Sequence, residues 1–221
     1  MAGVTTSEAD TWRDARIRTF HGRHGRTTDR MQSVLDRLAP AHGLDARPDP
    51  SRPLVLEVGC GNGDAALAFC DADPDADLLA VDVHVPGVVR LLEACDAGAA
   101  PNLFVERGDA LGVLDDRLGT ASLAGLHLFF PDPWPKARHH KRRFVRPDVL
   151  DLVADRLAPG APFRIASDVA DYVAWAIEHL DAHPAFAGGP SERPTWRPVT
   201  RYEAAGVAAG REPVDLTYVR R

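Results

Sequence analysis

Five carboxylates and one run of cations stand where this chain could do chemistry. Glu57 lies inside an otherwise apolar run, Leu54-Val-Leu-Glu-Val58, that breaks at Gly59-Cys-Gly-Asn-Gly63. Asp82, Asp109, Asp132 and Asp168 each come at or just after the end of another short apolar run. A carboxylate at the C-terminal end of a parallel strand accepts hydrogen bonds from ligand hydroxyls and amines and is poorly suited to phosphates. Lys136 to Arg143 holds five Lys/Arg, two His and no acid. A solvated helix face normally mixes signs, so this run reads as a phosphate-contacting patch, with a charged surface segment as the alternative.

The first of these groups sits in a recognisable unit. Leu54 to Val58 reads as a short buried strand, the alternating glycines cannot extend it, and Ala65 to Cys70 resumes with helical composition. Strand, tight glycine turn and helix bring a bare backbone and free helix N–H groups close to a ligand. Gly59, Gly61 and Gly63 alternate, and Asp64 occupies the place of the third glycine of a dinucleotide fingerprint, which weakens a pyrophosphate reading. The pattern Glu-x-Gly-x-Gly-x-Gly resembles motif I of the S-adenosylmethionine-dependent methyltransferases. Another Rossmann-like use, or a purely structural turn, remains the alternative.

The remaining elements must position the other carboxylates. Ala76 to Asp82 reads as a second strand, ending on Asp82, either a ribose ligand or an ordinary strand-end acid. Val85 to Ala94 is a crossover helix and Asn102 to Arg107 a third strand, after which Asp109 is either an adenine contact or a helix N-cap. Gly125 to Phe130 is a fourth strand that enters Pro131-Asp-Pro-Trp-Pro-Lys136. Three alternating prolines hold that backbone extended and display Asp132, Trp134 and Lys136. Val145 to Leu157 is helical and Pro162 to Ala166 a fifth strand. Ser167-Asp168 then caps the helix bearing Tyr172, Trp175 and Leu180, with a ligand role for Asp168 as the second reading. Thr195 to Val199 and Val214 to Val219 read as a pair of antiparallel strands at the sheet edge.

Ahead of this lies a basic arm. Trp12 to Arg30 carries six arginines and two histidines against two aspartates, and is either an RNA-binding arm or a solvated tail. Met31 to Leu38 has helical spacing closed by Ala39-Pro40, and the folded core is expected to begin at the Pro-rich loop Asp45 to Pro53. The division is therefore an arm with its helix over 1–44 and one domain over 45–221. With 221 residues, 45% apolar and 26% charged, one α/β domain is the default.

No apolar run approaches the ~20 residues of a membrane span, and the first ten residues lack a secretory pattern. A cytoplasmic protein that does not act at a membrane is expected. Cys60, Cys70 and Cys95 have no paired spacing, and His139-His140 lack further ligands nearby, so neither a disulfide framework nor a metal site is expected. The net charge of −6 alone speaks against nucleic acid, but the cations are concentrated.

Taken together, these pieces resemble the bacterial tRNA (guanine-N7)-methyltransferases from Arg18 onward. The most specific part is Phe130 to Arg143, joined by the Arg-x-Gly-Arg arm around Arg23 to Arg26, the Ser167-Asp168 pair and Thr200-Arg-Tyr-Glu203. The resemblance implies a Rossmann-like class I fold: a mostly parallel seven-stranded sheet with an antiparallel C-terminal hairpin and helices on both faces. It implies methyl transfer from S-adenosyl-L-methionine, leaving S-adenosyl-L-homocysteine, to guanosine 46 in the variable loop of tRNA. Glu57, Gly59, Gly61, Gly63, Asp82, Asp109, Ala110 and Asp132 would hold the donor. Lys136, Arg138, His139, Arg142, Arg143, Asp168, Thr200, Arg201, Tyr202 and Glu203 would meet the tRNA, with Asp132 and Asp168 as the catalytic carboxylates. No metal is implied, and the chain is expected to act as a monomer or weak homodimer. It departs from the family in Asp82, where Glu is usual, and in Arg201-Tyr202, where Lys-Phe is commoner.

Overall fold

All five residues of Leu54–Val58 are buried in strand β1, as a strand covered on both faces requires. In the computed structural model, which describes residues 17–20 and 27–221, β1 lies between β2 (Asp77–Asp82) and β4 (Gly125–Phe129), parallel to both. Outside these lie β3 (Leu103–Arg107) and β5 (Pro162–Ser167), again parallel. Next to β5 runs β7 (Val214–Arg220), antiparallel, and β6 (Phe186–Ser191) closes the sheet antiparallel to β7. The order is β3-β2-β1-β4-β5-β7-β6, so six strands share one direction and β7 opposes them. This is the expected seven-stranded sheet with its antiparallel C-terminal pair.

Alternation along the strands divides the core into two layers. Val55, Leu78, Ala80, Leu103 and Val105 pack with buried residues of α1 (Asp29–His42), α2 (Asp64–Ala72) and α3 (Val85–Asp96). Leu54, Leu56, Val58, Leu79 and Val81 face the other way, towards α4 (Ala110–Asp116), α5 (Pro147–Arg156) and α6 (Ala170–Ala182). Each fully buried leucine in these layers contributes about 1.5–3 kcal/mol. A last helix, α7 (Arg201–Ala208), leads into β7.

Three expectations are corrected. Thr195 to Val199 is not a strand; the partner of β7 is Phe186–Ser191, whose Ala-Gly-Gly-Pro composition reads as a turn. Gly188 is required there, since a Cβ would lie 2.1 Å from the Thr217 carbonyl oxygen. The packed core extends back to α1, whose Val34, Leu35 and Leu38 are buried with α3 and β3, ahead of the loop where its start was expected. Finally, α6 has Val169 as N-cap with no side-chain cap bond. Ser167 Oγ accepts from the Val169 N–H (3.2 Å), so Asp168 is not the cap. The Arg23 to Arg26 arm lies outside the described residues.

The chain steps outward from β1 to β3 and then returns to β4 on the far side of β1. Such a reversal opens a crevice at the carboxyl ends of the central strands, where ligands of open α/β sheets bind. Asp82, Asp109, Asp132 and Asp168 all lie at this edge, at or just beyond the ends of β2, β3, β4 and β5.

Candidate active site

The glycine turn after β1 is a left-handed path: Gly59, Gly61 and Gly63 have φ of 74°, 56° and 81°, which other residues adopt only with strain. The N–H groups of Gly59 and Cys60 donate to the Val81 carbonyl at 2.8 and 3.4 Å, tying the turn to the end of β2. Asp82 completes the tie by accepting from the Gly61 N–H (2.6 Å) and the His84 N–H (2.8 Å). Helix α3 presses in from below. A Cβ on Gly87 would sit 1.6 Å from the Gly61 carbonyl oxygen. On the open side a Cβ on Gly59 would meet nothing, and one on Gly61 would meet only Tyr202 Cε2, at 3.8 Å. The turn thus offers bare backbone to the crevice.

Glu57 lies in β1 just before this turn. The residue is 2% exposed, and Oε2 has no hydrogen-bond partner among the described residues. Burial, with a smaller push from Asp82, raises its pKa to about 8. Asp82 keeps two acceptor positions beyond its two backbone donors, enough for a pair of hydroxyls. Asp109 is the N-cap of α4, its carboxylate accepting from the Leu111 N–H at 3.1 Å, so of the two readings the capping one is seen directly. Ala110 begins that helix, buried.

The proline loop after β4 carries two non-glycine residues with positive φ, Phe130 (50°) and Trp134 (45°), conformations that persist only where the surroundings hold them. Trp134 is turned inward rather than displayed. It is 3% exposed, donates through Nε1 to the Thr19 carbonyl (3.0 Å) and lies under the Arg142 guanidinium at 4.8 Å. Asp132 is half-buried, and Lys136 and Arg138 are exposed. His139 is half-buried, its ring edge-on to Trp134 at 5.8 Å.

Arg143 is a second correction within this run. It is fully enclosed, donating through Nε to the Pro133 carbonyl (3.0 Å), paired with Asp171, and lying over Trp175 and Tyr172 at 4.9 and 5.7 Å. A guanidinium so enclosed holds the loop against α6 and cannot face a phosphate. The sequence gives its charge but not its direction.

At the far end of the crevice, Asp168 receives a hydrogen bond from Arg211 Nε at 2.8 Å. Helix α7 crosses above: Thr200 Oγ1 caps it by accepting from the Glu203 N–H (3.2 Å), and Tyr202 stands against Gly61. At its C-terminal end a Cβ on Gly206 would lie 2.0 Å from Asp168 Oδ2. The helix therefore spans from the glycine turn to Asp168. Arg201 and Tyr202 are exposed on it. Glu203 is not: its side chain is 0% exposed and pairs with Arg193 and, at 2.8 Å, with Arg197. Its expected substrate contact is corrected to a structural one, because both oxygens face arginines within the fold.

Arg197 was missed by the sequence reading, hidden in the apolar-looking Thr195 to Val199. It is wholly buried, binds Asp215 through two nitrogens (3.1 and 2.8 Å), and lies over Phe129 and Phe130 at 5.3 and 5.5 Å. It ties α7, β7 and the start of the proline loop together. His127, also missed, sits in β4 beside Phe69, Phe129 and Trp196, and burial lowers its pKa to about 3. Burial pushes all three thiols up, Cys60 well above its ordinary value, Cys70 to about 12 and Cys95 to about 11. None is a thiolate nucleophile at neutral pH.

This strand order, with its inserted antiparallel β7 and glycine turn after β1, defines a class I methyltransferase fold. The 16S rRNA methyltransferase KamB has a similar structure at TM-score 0.56 and 15% identity, over 92% of this chain and 99% of that one. So has a mutant 16S rRNA (adenine(1408)-N(1))-methyltransferase from Catenulisporales acidiphilia solved with cosubstrate SAM, at TM-score 0.51 and 17% identity, over 86% of this chain and 91% of that one. Residues 51–216 match the Methyltransf_4 family, described as putative methyltransferase. The chain is 42% identical to the tRNA (guanine-N(7)-)-methyltransferase of Streptomyces coelicolor, over 94% of this chain and 82% of that one. It is 40% identical to that of Aromatoleum aromaticum, over 93% and 84%. The chain belongs to the tRNA (guanine-N7)-methyltransferase family and is an enzyme.

S-adenosylmethionine, which this family and fold imply, fits the residues present. Bare backbone at Gly59 and Gly61 admits close approach, Asp82 has acceptor capacity left, and the buried Glu57 Oε2 is an acceptor still lacking a donor. Among the described residues no helix is long and apolar enough to cross a membrane.

Proposed function

We propose that this enzyme transfers the methyl group of S-adenosyl-L-methionine to N7 of guanosine 46 in the variable loop of tRNA, in the cytoplasm. The observation that carries the reading is helix α7, which runs from the donor-type glycine turn at Gly61 to the carboxylate of Asp168. A donor site and a purine-edge acceptor thus share one crevice. The family membership supports tRNA as substrate, and the exposed Lys136 and Arg138, with Arg142 over the face of Trp134 and His139 against that ring edge-on, suit a phosphate backbone.

When bound, the donor supplies an electrophilic methyl on a sulfonium. Guanine N7 has a lone pair and no proton, so no general base is required. Positioning is then the main contribution. Asp132 and Asp168 accept from guanine N1–H and the exocyclic amine, which aims N7 and offsets the positive charge that the purine gains. Tyr202, exposed above Gly61, offers a ring for the base to stack on, and Thr200 and Arg201 contact the flanking nucleotide. Glu57, Asp82 and Asp132 hold the donor. The enzyme acts as a monomer or weak homodimer.

The test is mass analysis of nucleosides from unmodified tRNA incubated with enzyme and donor. The expected product is 7-methylguanosine. A methyl group on another guanosine atom, or on another base, contradicts the reading.

A further inference from the structure

We propose that Arg211 is the group that the target purine displaces. It occupies on Asp168 the acceptor position that the donors of the guanine edge take, so the base is captured by exchanging one donor for another. The inference rests on the reading of Asp168 given above and extends it to a residue that neither motif nor resemblance had singled out.

Arg211 Nε donates to Asp168 Oδ2 at 2.8 Å, and no other hydrogen-bond partner of this carboxylate is seen among the described residues. The carboxylate is nearly enclosed, at 12% exposed, while the arginine side chain is 47% exposed. The contact is placed by the chain itself. The Arg211 N–H donates to the Gly206 carbonyl (3.0 Å) and Gly210 takes a left-handed φ of 77°, folding the end of α7 back over β5. Gly206 leaves room for the pair: a Cβ there would lie 2.0 Å from Asp168 Oδ2 and 3.3 Å from an Arg211 terminal nitrogen.

The two donors share a geometry. A guanidinium presents coplanar N–H groups to a carboxylate, and so does the N1–H and N2–H edge of guanine. Adenine presents an acceptor at N1 beside its N6 amine, so it can offer the carboxylate one donor but not the adjacent pair that guanine offers. The same neighbourhood shows what a holding arginine looks like: Arg197 is wholly buried and makes three bonds to two carboxylates. Arg211 makes one and reaches into solvent, to which its charge returns when it is displaced. Until then it keeps an enclosed carboxylate from standing unpaired.

The experiment is steady-state kinetics at saturating donor with tRNA varied, for wild type, Arg211→Ala, Arg211→Lys, Asp168→Asn and the Asp168→Asn/Arg211→Ala double variant, each checked for a cooperative melt. Solvent around the exposed guanidinium weakens the pair, so removing the competitor lowers KM for tRNA by about two- to five-fold. Arg211→Lys, which keeps a donor on Asp168, stays within about twofold of wild type by the same reasoning. In the double variant, measured by tRNA binding, Arg211→Ala has no effect, because there is no carboxylate left to compete for. A raised KM with a salt slope reduced by about one marks a phosphate contact and overturns the exchange. A fall in kcat at constant KM marks a positioning role and also overturns it. Wild-type turnover by Asp168→Asn removes the reading of Asp168 itself, an outcome distinct from either.

Discussion

Glu57 on β1 and His127 on β4 stand in direct register across the parallel ladder, both buried, with Glu57 Oε2 and both imidazole nitrogens lacking hydrogen-bond partners among the described residues. Their titrations oppose each other. Glu57, raised from 4.5 to about 8, keeps in the folded state a proton that the unfolded chain releases, so its contribution is full below pH 4.5 and is lost as pH climbs to about 8. His127, lowered from 6.5 to about 3, refuses a proton that the unfolded chain takes up, so its contribution is full above pH 6.5 and is lost as pH falls to about 3.

The two slopes cancel between pH 4.5 and 6.5. Urea unfolding of donor-free enzyme should therefore show a plateau there and decline on either side. Glu57→Gln should remove the decline above pH 6.5, leaving the variant about 2–4 kcal/mol better placed at pH 8 relative to pH 5 than wild type. His127→Phe should remove the acid-side decline. Parallel profiles for all three proteins would contradict this pairing.

Arg143 and Arg138 share a cationic run but should fail in different ways. Arg143→Ala loses a stacked, buried guanidinium and its bond to Pro133, and should cost about 2–4 kcal/mol in chemical unfolding. Arg138→Glu with Lys136→Glu should leave unfolding unchanged within about 0.5 kcal/mol. That pair should instead weaken tRNA binding and flatten its salt dependence, read by titration at several ionic strengths. The reverse pattern would return Arg143 to the RNA surface.

Gly87→Ala tests the donor turn without touching the crevice. The new methyl must displace the Gly61 carbonyl, 1.6 Å away, and with it the N–H that Asp82 holds. Donor affinity measured by calorimetry should fall at least about tenfold, roughly 1.4 kcal/mol. Undiminished affinity would show that the turn is not where the donor sits.

Asp132→Ala and Asp168→Asn should each reduce kcat by about 10²-fold or more, while tRNA affinity, carried mostly by the cations, falls far less. Equal losses in both quantities would assign these residues to binding alone.

Much of this was legible in the residues. β1 to β5 announce themselves as short apolar runs that break at glycine, proline or acid, because a strand buried on both faces has no polar side to show. The glycine alternation marks the turn, and only its geometry was missing. What escaped was direction and distant pairing. Arg143 and Glu203 look like surface charges until the fold encloses them. β6 escaped because its Gly188 answers to the closeness of Thr217, not to strand propensity. Asp168 looked like a cap because its partner, Arg211, lies 43 residues away in sequence.

The most direct measurement is chemical mapping of the modified position. Borohydride reduction followed by aniline breaks the backbone at 7-methylguanosine, so tRNA treated with enzyme and donor should acquire one new cut, at guanosine 46, absent without either. Methyl incorporation with no cut, or with cuts elsewhere, would contradict transfer to N7 at that site.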